Sequence, residues 1–356
     1  MPDIDIEKSS TSRVKIFDFD KINFGEFPTD HMLLCHYASK MWKKPIIKPV
    51  QNLSLSPMAL CFHYGQTVFE GFKAYRLEDG NINIFRLSKH LERINKSLQR
   101  MSMPQLPEEF FINSVCSLIE LEQQWVSARP GHSLYIRPFM IATEARLGVK
   151  VSDEYFFMVI CTPMSNYFGN SYLKVKVETQ YTRAVQGGVG FAKNGGNYGA
   201  AFFPTELARQ DGFDQVLWTD GKEHEFIEES GMMNIMFIID DTVITPPLSG
   251  TILDGVTRDS ILTLAKDAGM NIEERPISYK ELQTAFEQGK EIEAFGVGTA
   301  AVIAPIELIN IQGKNYYPLI SQSARLYQFK EELQNIRSGR LADRHDWNHI
   351  LRTNLK

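Results

Sequence analysis

Apolar residues recur at every second position, among β-branched and aromatic neighbours, near 82–85, 133–141, 155–161 and 173–180, and this spacing predicts four strands. Between the first two the period lengthens. Leu87, Leu91, Ile94, Leu98 and Met101 stand four and three apart, so residues 86–101 form one apolar helix face, and a second helix is expected over about 108–125. In the second half, 197–210 reads as a helix stopped by Gly212, and 215–220 as a strand. The Asp220-Gly221 dipeptide then suggests a hairpin, with 226–239 as the returning strand. Ile261, Leu262, Leu264, Ala265 and Ala268 follow a helical period over 257–268, with Thr257 and Asp259 near its start and Gly269 at its end. Helices expected at 280–288 and 320–336 bracket a run of small residues, 295–301. No repeat, low-complexity tract or coiled coil interrupts this order. Strands and helices mix without strict βαβ regularity, which gives an α+β or loosely α/β class.

Length sharpens the picture. A chain of 356 residues exceeds what one core usually serves, so two domains are expected. The turn-forming stretch 163–171 is the candidate connection. With 43% hydrophobic residues, 23% charged residues and a formal charge of -5, the surface has no bias toward polyanions, which argues against nucleic acid and anionic membranes. No run reaches the roughly eighteen apolar residues of a membrane span. The first thirty residues carry several acids, which an Arg-rich transit peptide avoids, so a mature cytoplasmic chain is expected. Cys35, Cys61, Cys116 and Cys161 form no Cys-x-x-Cys pair and read as buried free thiols. His63 and His90 lack a second ligand at helical spacing, so no metal is expected.

Chemistry concentrates in a few places. Lys193 lies in a glycine-rich stretch, 187–199, where backbone can approach a flat ligand and an amine can meet a carbonyl; a solvated lysine in a surface turn is the plainer alternative. Gly255, Val256 and Thr257 head a predicted helix and offer backbone donors to a phosphate, or form an ordinary cap. The turn 296–301, with Thr299 and Ala300, can approach a ligand or pack as a core strand. Arg93 lies beside its helix's apolar stripe, within reach of the interior. Glu229 sits in a largely apolar run, where a buried carboxylate needs a cationic partner; alternation turns one of Glu228 and Glu229 outward. Tyr135 and Arg137, two apart on a strand, share a face suited to a carboxylate.

These pieces stand in one order: Phe-Gly-Glu-Phe-Pro-Thr-Asp-His-Met (24–32), His-Tyr-Gly-Gln-Thr-Val-Phe-Glu-Gly-Phe-Lys-Ala (63–74), Ser-Leu-Tyr-Ile-Arg-Pro (133–138), the lysine segment, Thr-Pro-Pro-Leu (245–248), Leu-Asp-Gly-Val-Thr-Arg (253–258) and Gly-Val-Gly-Thr-Ala (296–300). Together they resemble the branched-chain amino acid aminotransferases, pyridoxal-phosphate enzymes of fold type IV, over nearly the whole chain. The resemblance implies a small N-terminal α/β domain (1–164), a connection (165–172) and a larger β-barrel-like domain with helices (173–356), with the cofactor between them. It implies that Lys193 forms the Schiff base and then shuttles a proton. Glu229 would keep the ring nitrogen protonated, and Tyr198 would donate to the phenolate oxygen. Arg93, Leu253, Val256, Thr257 and Thr299 would complete the cofactor site. Tyr135, Arg137, Thr299 and Ala300 would handle substrate carboxylates, and Phe24, Tyr64 and Phe69 would wall the pocket. Leu147 and Val149 match a loop that reaches a neighbouring subunit's site, which implies a homodimer.

The implied reaction is reversible transfer of the amino group of L-leucine, L-isoleucine or L-valine to 2-oxoglutarate, giving a branched-chain 2-oxo acid and L-glutamate. One methylene discriminates by only ~1–3 kcal/mol, so all three amino acids should serve. Two departures stand out. Ala301-Val302-Ile303-Ala304 replaces the redox Cys-x-x-Cys of some animal members, and Met232 and Asp254 replace a commoner Thr and Pro. Rival readings are a D-amino acid aminotransferase, an aminodeoxychorismate lyase, or a silent relative that only binds; Tyr135-Ile136-Arg137 and the long N-terminal region argue against the first two, and retention of Lys193 and Glu229 against the third.

Overall fold

A computed structural model describes residues 3–165 and 171–353, in two compact units. The first contains 3–165, 192–195 and 335–353, and the second contains 171–191 and 196–334. The connection expected at 165–172 lies for the most part outside the described residues. Two short pieces of chain depart from the expected contiguous division: the lysine tetrad 192–195 and the C-terminal segment both join the first unit.

In the first unit the long antiparallel pair Ser133–Ala142 and Tyr155–Met164 forms the middle of a ten-stranded sheet. His31–Ala38 adds beside one strand of this pair, and Phe72–Arg76 beside the other. Ile82–Phe85 follows, and the C-terminal strand Asn348–Leu351 pairs on its outer edge. Alternation gives this sheet two apolar faces. Leu33, Phe72, Ala74, Ile84, Leu134 and Ile136 form one core with Leu91, Ile94 and Leu98 of the helix Leu87–Arg100, and with Phe111, Val115 and Leu118 of the helix Glu108–Leu121. Met32, Leu34 and Met158 pack in a smaller cluster with side chains such as Phe139 and Ile160. The helix predicted over 108–125 ends its α-turns at Leu121 and tightens into a 3₁₀ turn, Gln123–Trp125.

The second unit is built on a nine-stranded sheet. Ile227–Ser230, Gln215–Thr219, Leu173–Glu178, Val302–Ile311, Ile292–Gly298 and Met233–Ile239 pair in turn, and the last pairs back to the first, so these six close into a barrel. Ile235, Phe237, Ile306, Ile309 and Ala294 are almost fully buried and belong to one core. The expected single strand over 226–239 is instead two antiparallel strands, turned at Gly231 with a φ of +55°. All seven residues of Met233–Ile239 are buried, so the alternation that would have marked the break is missing. The expected hairpin after Asp220 pairs its strands antiparallel, but through a longer turn. There the Asp220 carboxylate accepts from the backbone N–H groups of Lys222, Glu223, Glu225 and Phe226 at 2.7–3.1 Å. The last predicted helix begins at Arg325 rather than near 320, its first N–H groups donating to the buried Glu293 carboxylate.

Candidate active site

The first unit fixes Lys193 through its backbone. Its N–H donates to Ser97 Oγ at 2.9 Å, and its carbonyl accepts from the Phe69 N–H at 3.0 Å. Asn194 bridges to Val68, which sets the tetrad against the strand Thr67–Phe69. Lys193 Nζ stands 4.8 Å from the centroid of the Phe69 ring, and the Arg137 guanidinium 4.7 Å from the same centroid. Cations over an aromatic face gain from the ring quadrupole. The lysine is half-buried, unlike the solvated lysine of the plainer alternative.

Arg93 and Ser97, one turn apart on the helix Leu87–Arg100, are both buried. Arg93 Nε donates to Glu70 Oε2 at 2.8 Å while Nη2 donates to Oε1, a forked pair. His90 Nδ1 lies 3.3 Å from the same Oε1. Burial raises the Glu70 carboxyl, but the charge and hydrogen bonds of Arg93, with His90, outweigh it and hold the group well below the usual carboxylate range. Burial pushes His90 down to about 4, so its imidazole is neutral at pH 7. Neither Glu70 nor Ser97 stood among the candidates from sequence.

Tyr135 and Arg137 fall on one face of their strand, with Arg137 Nη2 donating to the Tyr135 hydroxyl at 3.0 Å. The Phe24 ring meets Tyr135 edge-on at 4.9 Å. A Cβ on Gly71 would lie 1.8 Å from the Tyr135 hydroxyl, so only glycine leaves room for this tyrosine. Tyr64 donates to the Leu147 carbonyl, and Leu147 and Val149 are 56% and 81% exposed.

In the second unit Glu229 is 3% exposed. Its Oε1 accepts from the Leu253 N–H at 2.8 Å and from Asn234 Nδ2 at 3.4 Å, and its Oε2 lies 3.2 Å from Arg183 Nε. Glu228 is buried too, which overturns the expectation that alternation turns one of the pair outward. Thr251 Oγ1 donates to Glu228 Oε1. Burial raises the Glu228 carboxyl, with Thr251 and Arg183 opposing.

The helix Val256–Asp267 starts at Gly255 with no side-chain cap bond, and Val256 and Thr257 are buried at its head. A Cβ on Gly255 would lie 1.8 Å from Asn234 Oδ1, so glycine is required for this approach. Thr299 and Ala300 are half-buried in the turn after Ile292–Gly298. The glycines before them make room for Met233, whose Cε would stand 2.6 Å from a Cβ on Gly296. Those glycines therefore serve core packing. Tyr198 is half-buried on the first turn of the helix Gly195–Gln210. Two glycines of 187–199 are likewise explained by the chain itself. Gly187 has a φ of +78°, and a Cβ on Gly190 would lie 2.6 Å from the Thr251 carbonyl oxygen.

The residues fit pyridoxal phosphate. A helix head without a side-chain cap, with a hydroxyl beside it, suits a phosphate. A buried carboxylate suits a protonated ring nitrogen, and a half-buried amine with a fixed backbone suits an aldehyde. Among the described residues no group of three or more His, Cys, Asp or Glu side chains could hold a metal ion, and no helix is long and apolar enough to cross a membrane.

Comparison with known proteins adds findings of three kinds. The family described as amino-transferase class IV matches residues 67–309. Branched-chain-amino-acid transaminase 1 of Bacillus subtilis (strain 168) is 44% identical over 338 residues, covering 93% of this chain and 94% of that protein. Branched-chain-amino-acid aminotransferase 2 of the same organism is 41% identical, covering 97% and 96%. Among solved structures, the branched-chain aminotransferase of Thermoproteus uzoniensis with norvaline superposes with a TM-score of 0.73 at 23% identity, over 90% of this chain and 99% of that one. The PLP-form of the Thermobaculum terrenum enzyme gives 0.74 at 21% identity, over 89% and 97%. The fold of this chain is theirs.

Proposed function

The chain belongs to the class IV aminotransferase family, and from that premise we propose that it transfers the amino group of L-leucine, L-isoleucine or L-valine to 2-oxoglutarate, reversibly, with pyridoxal phosphate as cofactor. When bound, the cofactor supplies an aldehyde for the amino group and a ring that withdraws electrons from the substrate Cα. Lys193 Nζ takes the proton from Cα as base and returns it as acid. Its backbone bonds to Ser97 and Phe69 keep that amine in place as it changes protonation. This pinned, half-buried lysine is the observation that carries the reading.

Glu229 presents negative charge to the ring nitrogen, and the Leu253 N–H orients that carboxylate. Tyr198 donates to the phenolic oxygen. Arg93, the N–H groups of Val256 and Thr257, and Thr299 hold the phosphate. Tyr135, Arg137 and the backbone near Thr299 and Ala300 take substrate carboxylates, Arg137 mattering most for glutamate. Phe24, Tyr64 and Phe69 exclude water from the aliphatic side chain. In the same proposal the enzyme is a cytoplasmic homodimer, and the exposure of Leu147 and Val149 supports their use against a second copy.

The test is spectroscopic. Protein loaded with pyridoxal phosphate should absorb visible light, and borohydride should fix the cofactor on the Lys193 peptide, as read by mass. L-leucine should bleach the band and 2-oxoglutarate should restore it, while D-alanine does neither. A loaded protein without the band, or one that answers only D-alanine, would falsify the assignment. Sedimentation should give twice the chain mass; a single-chain mass in the active protein removes the dimer.

A further inference from the structure

Two neighbouring acids, Glu228 and Glu229, are buried in the second unit, and the Arg183 guanidinium meets Glu229 there. Its guanidinium is itself almost fully buried and makes three connections at once. Nε stands 3.2 Å from Glu229 Oε2, Nη2 donates to the Thr251 carbonyl, and Nη1 lies 3.5 Å from the Gly190 carbonyl. An arginine at the end of a flexible stem loses much rotamer freedom in such a place, so its position must be stabilised by what it holds. Thr251 and Leu253 sit on the turn that runs into the helix Val256–Asp267, and Leu253 completes the circle by donating to the other oxygen of Glu229.

We propose that Arg183 is a positioning residue for the transamination: it holds Glu229 charged and in one orientation for the ring nitrogen, and ties that carboxylate to the turn that leads into the phosphate-binding helix. The inference rests on the role given to Glu229 above. Contact geometry assigns the charge. The guanidinium touches Glu229, whereas Glu228 meets the neutral hydroxyl of Thr251. A guanidinium in contact with one of two neighbouring carboxylates favours the charged form of the acid it touches. The upward push of burial on Glu228 acts in the same direction. Gly190 belongs to the device, since a Cβ there would press on Thr251 and Ala184 and lift the loop that carries Arg183.

The test uses the loaded enzyme and Arg183→Gln, Arg183→Lys and Glu228→Gln. Three readouts are taken: the pH titration of the visible band, cofactor affinity from quenching of tryptophan fluorescence, and kcat and KM for L-leucine. R183Q should shift the titration midpoint, weaken cofactor binding and lower kcat, each of the last two by roughly ten- to a hundredfold, the size of effect seen when a metal ligand loses its outer hydrogen-bond partner. KM should move little. R183K keeps the charge but cannot hold Glu229 and Thr251 together, so it should fall between wild type and R183Q. E228Q should leave the titration midpoint where it was. An R183Q protein that melts earlier yet keeps the wild-type midpoint and affinity has lost only structure, which overturns the proposal. If R183Q does not fold, a wild-type affinity and spectrum in R183K does the same. A midpoint shift in E228Q as large as that in R183Q overturns the charge assignment. Absence of the band in wild type removes the functional reading itself, and this inference with it.

Discussion

Arg93 depends on Glu70 as much as on anything it would bind. The pair is buried, forked and joined by a neutral His90, so removing the acid takes from a buried guanidinium the carboxylate that both its Nε and Nη2 engage. Glu70→Gln should cost about 3–5 kcal/mol in urea unfolding, the range for breaking a buried ion pair, and should loosen cofactor binding. An effect below about 1 kcal/mol would mean that solvent reaches the guanidinium. Lys73 gives the second residue-scale prediction. Burial pushes its ammonium down to about 7, with Arg337 adding to the effect. The unfolded chain, whose lysines titrate near 10.4, then binds more protons than the folded one from about pH 7 upward. Stability should rise with pH across that window by up to about 1.4 kcal/mol per unit, and Lys73→Met should remove the rise. Parallel slopes for the two proteins between pH 7 and 9 would contradict this. Lys193, Glu229, Tyr135 and Arg137 were legible as candidates because each sits in a distinctive local string. Ser97, Glu70 and Arg183 were not. Their partners lie 96, 23 and 46 residues away, and no period or local motif encodes such pairings.

At the scale of elements, period was a good guide where one face is solvated or polar. The helix Leu87–Arg100, buried on one side and exposed on the other, stands almost where its spacing put it. It failed where both faces are covered: Met233–Ile239 is apolar throughout, and the hairpin before it merged with it into one reading. The glycine-rich stretch separates two uses of one residue. A Cβ on Gly190 meets the Thr251 backbone at 2.6 Å, whereas one on Gly199, inside the helix Gly195–Gln210, meets nothing within 4 Å. Gly190→Ala should therefore destabilise by about 1–3 kcal/mol through overpacking. Gly199→Ala should stabilise by up to about 1 kcal/mol through helix propensity. Equal thermal shifts of the same sign in the two variants would show that local crowding does not decide the cost.

For the molecule as a whole, the chain returns at its end to the unit in which it began. The strand Asn348–Leu351 gave no usable signal in sequence, being four residues long and mostly half-buried, with a partner strand more than 250 residues earlier. Yet it covers the edge of Ile82–Phe85, and Trp347 packs edge-on to Phe85 at 5.7 Å. The Trp347 carbonyl accepts from the N–H of Arg86 at 2.6 Å, and Arg86 adopts a φ of +54° as the cap of Leu87–Arg100. The terminus thus fixes the entry of the helix that carries Arg93 and Ser97. Truncation after Arg340 should expose a strand edge, remove a buried tryptophan worth about 3–5 kcal/mol and free that strained cap. Both stability and cofactor affinity should fall, although no removed residue belongs to the site. Trp347→Ala alone should reproduce the loss of stability, with a smaller loss of affinity, because the strand still pairs. If the truncated chain melted earlier but held cofactor as wild type does, the strand would stabilise its sheet without governing the helix. Fluorescence-monitored cofactor titration beside thermal melts of the two variants separates these cases.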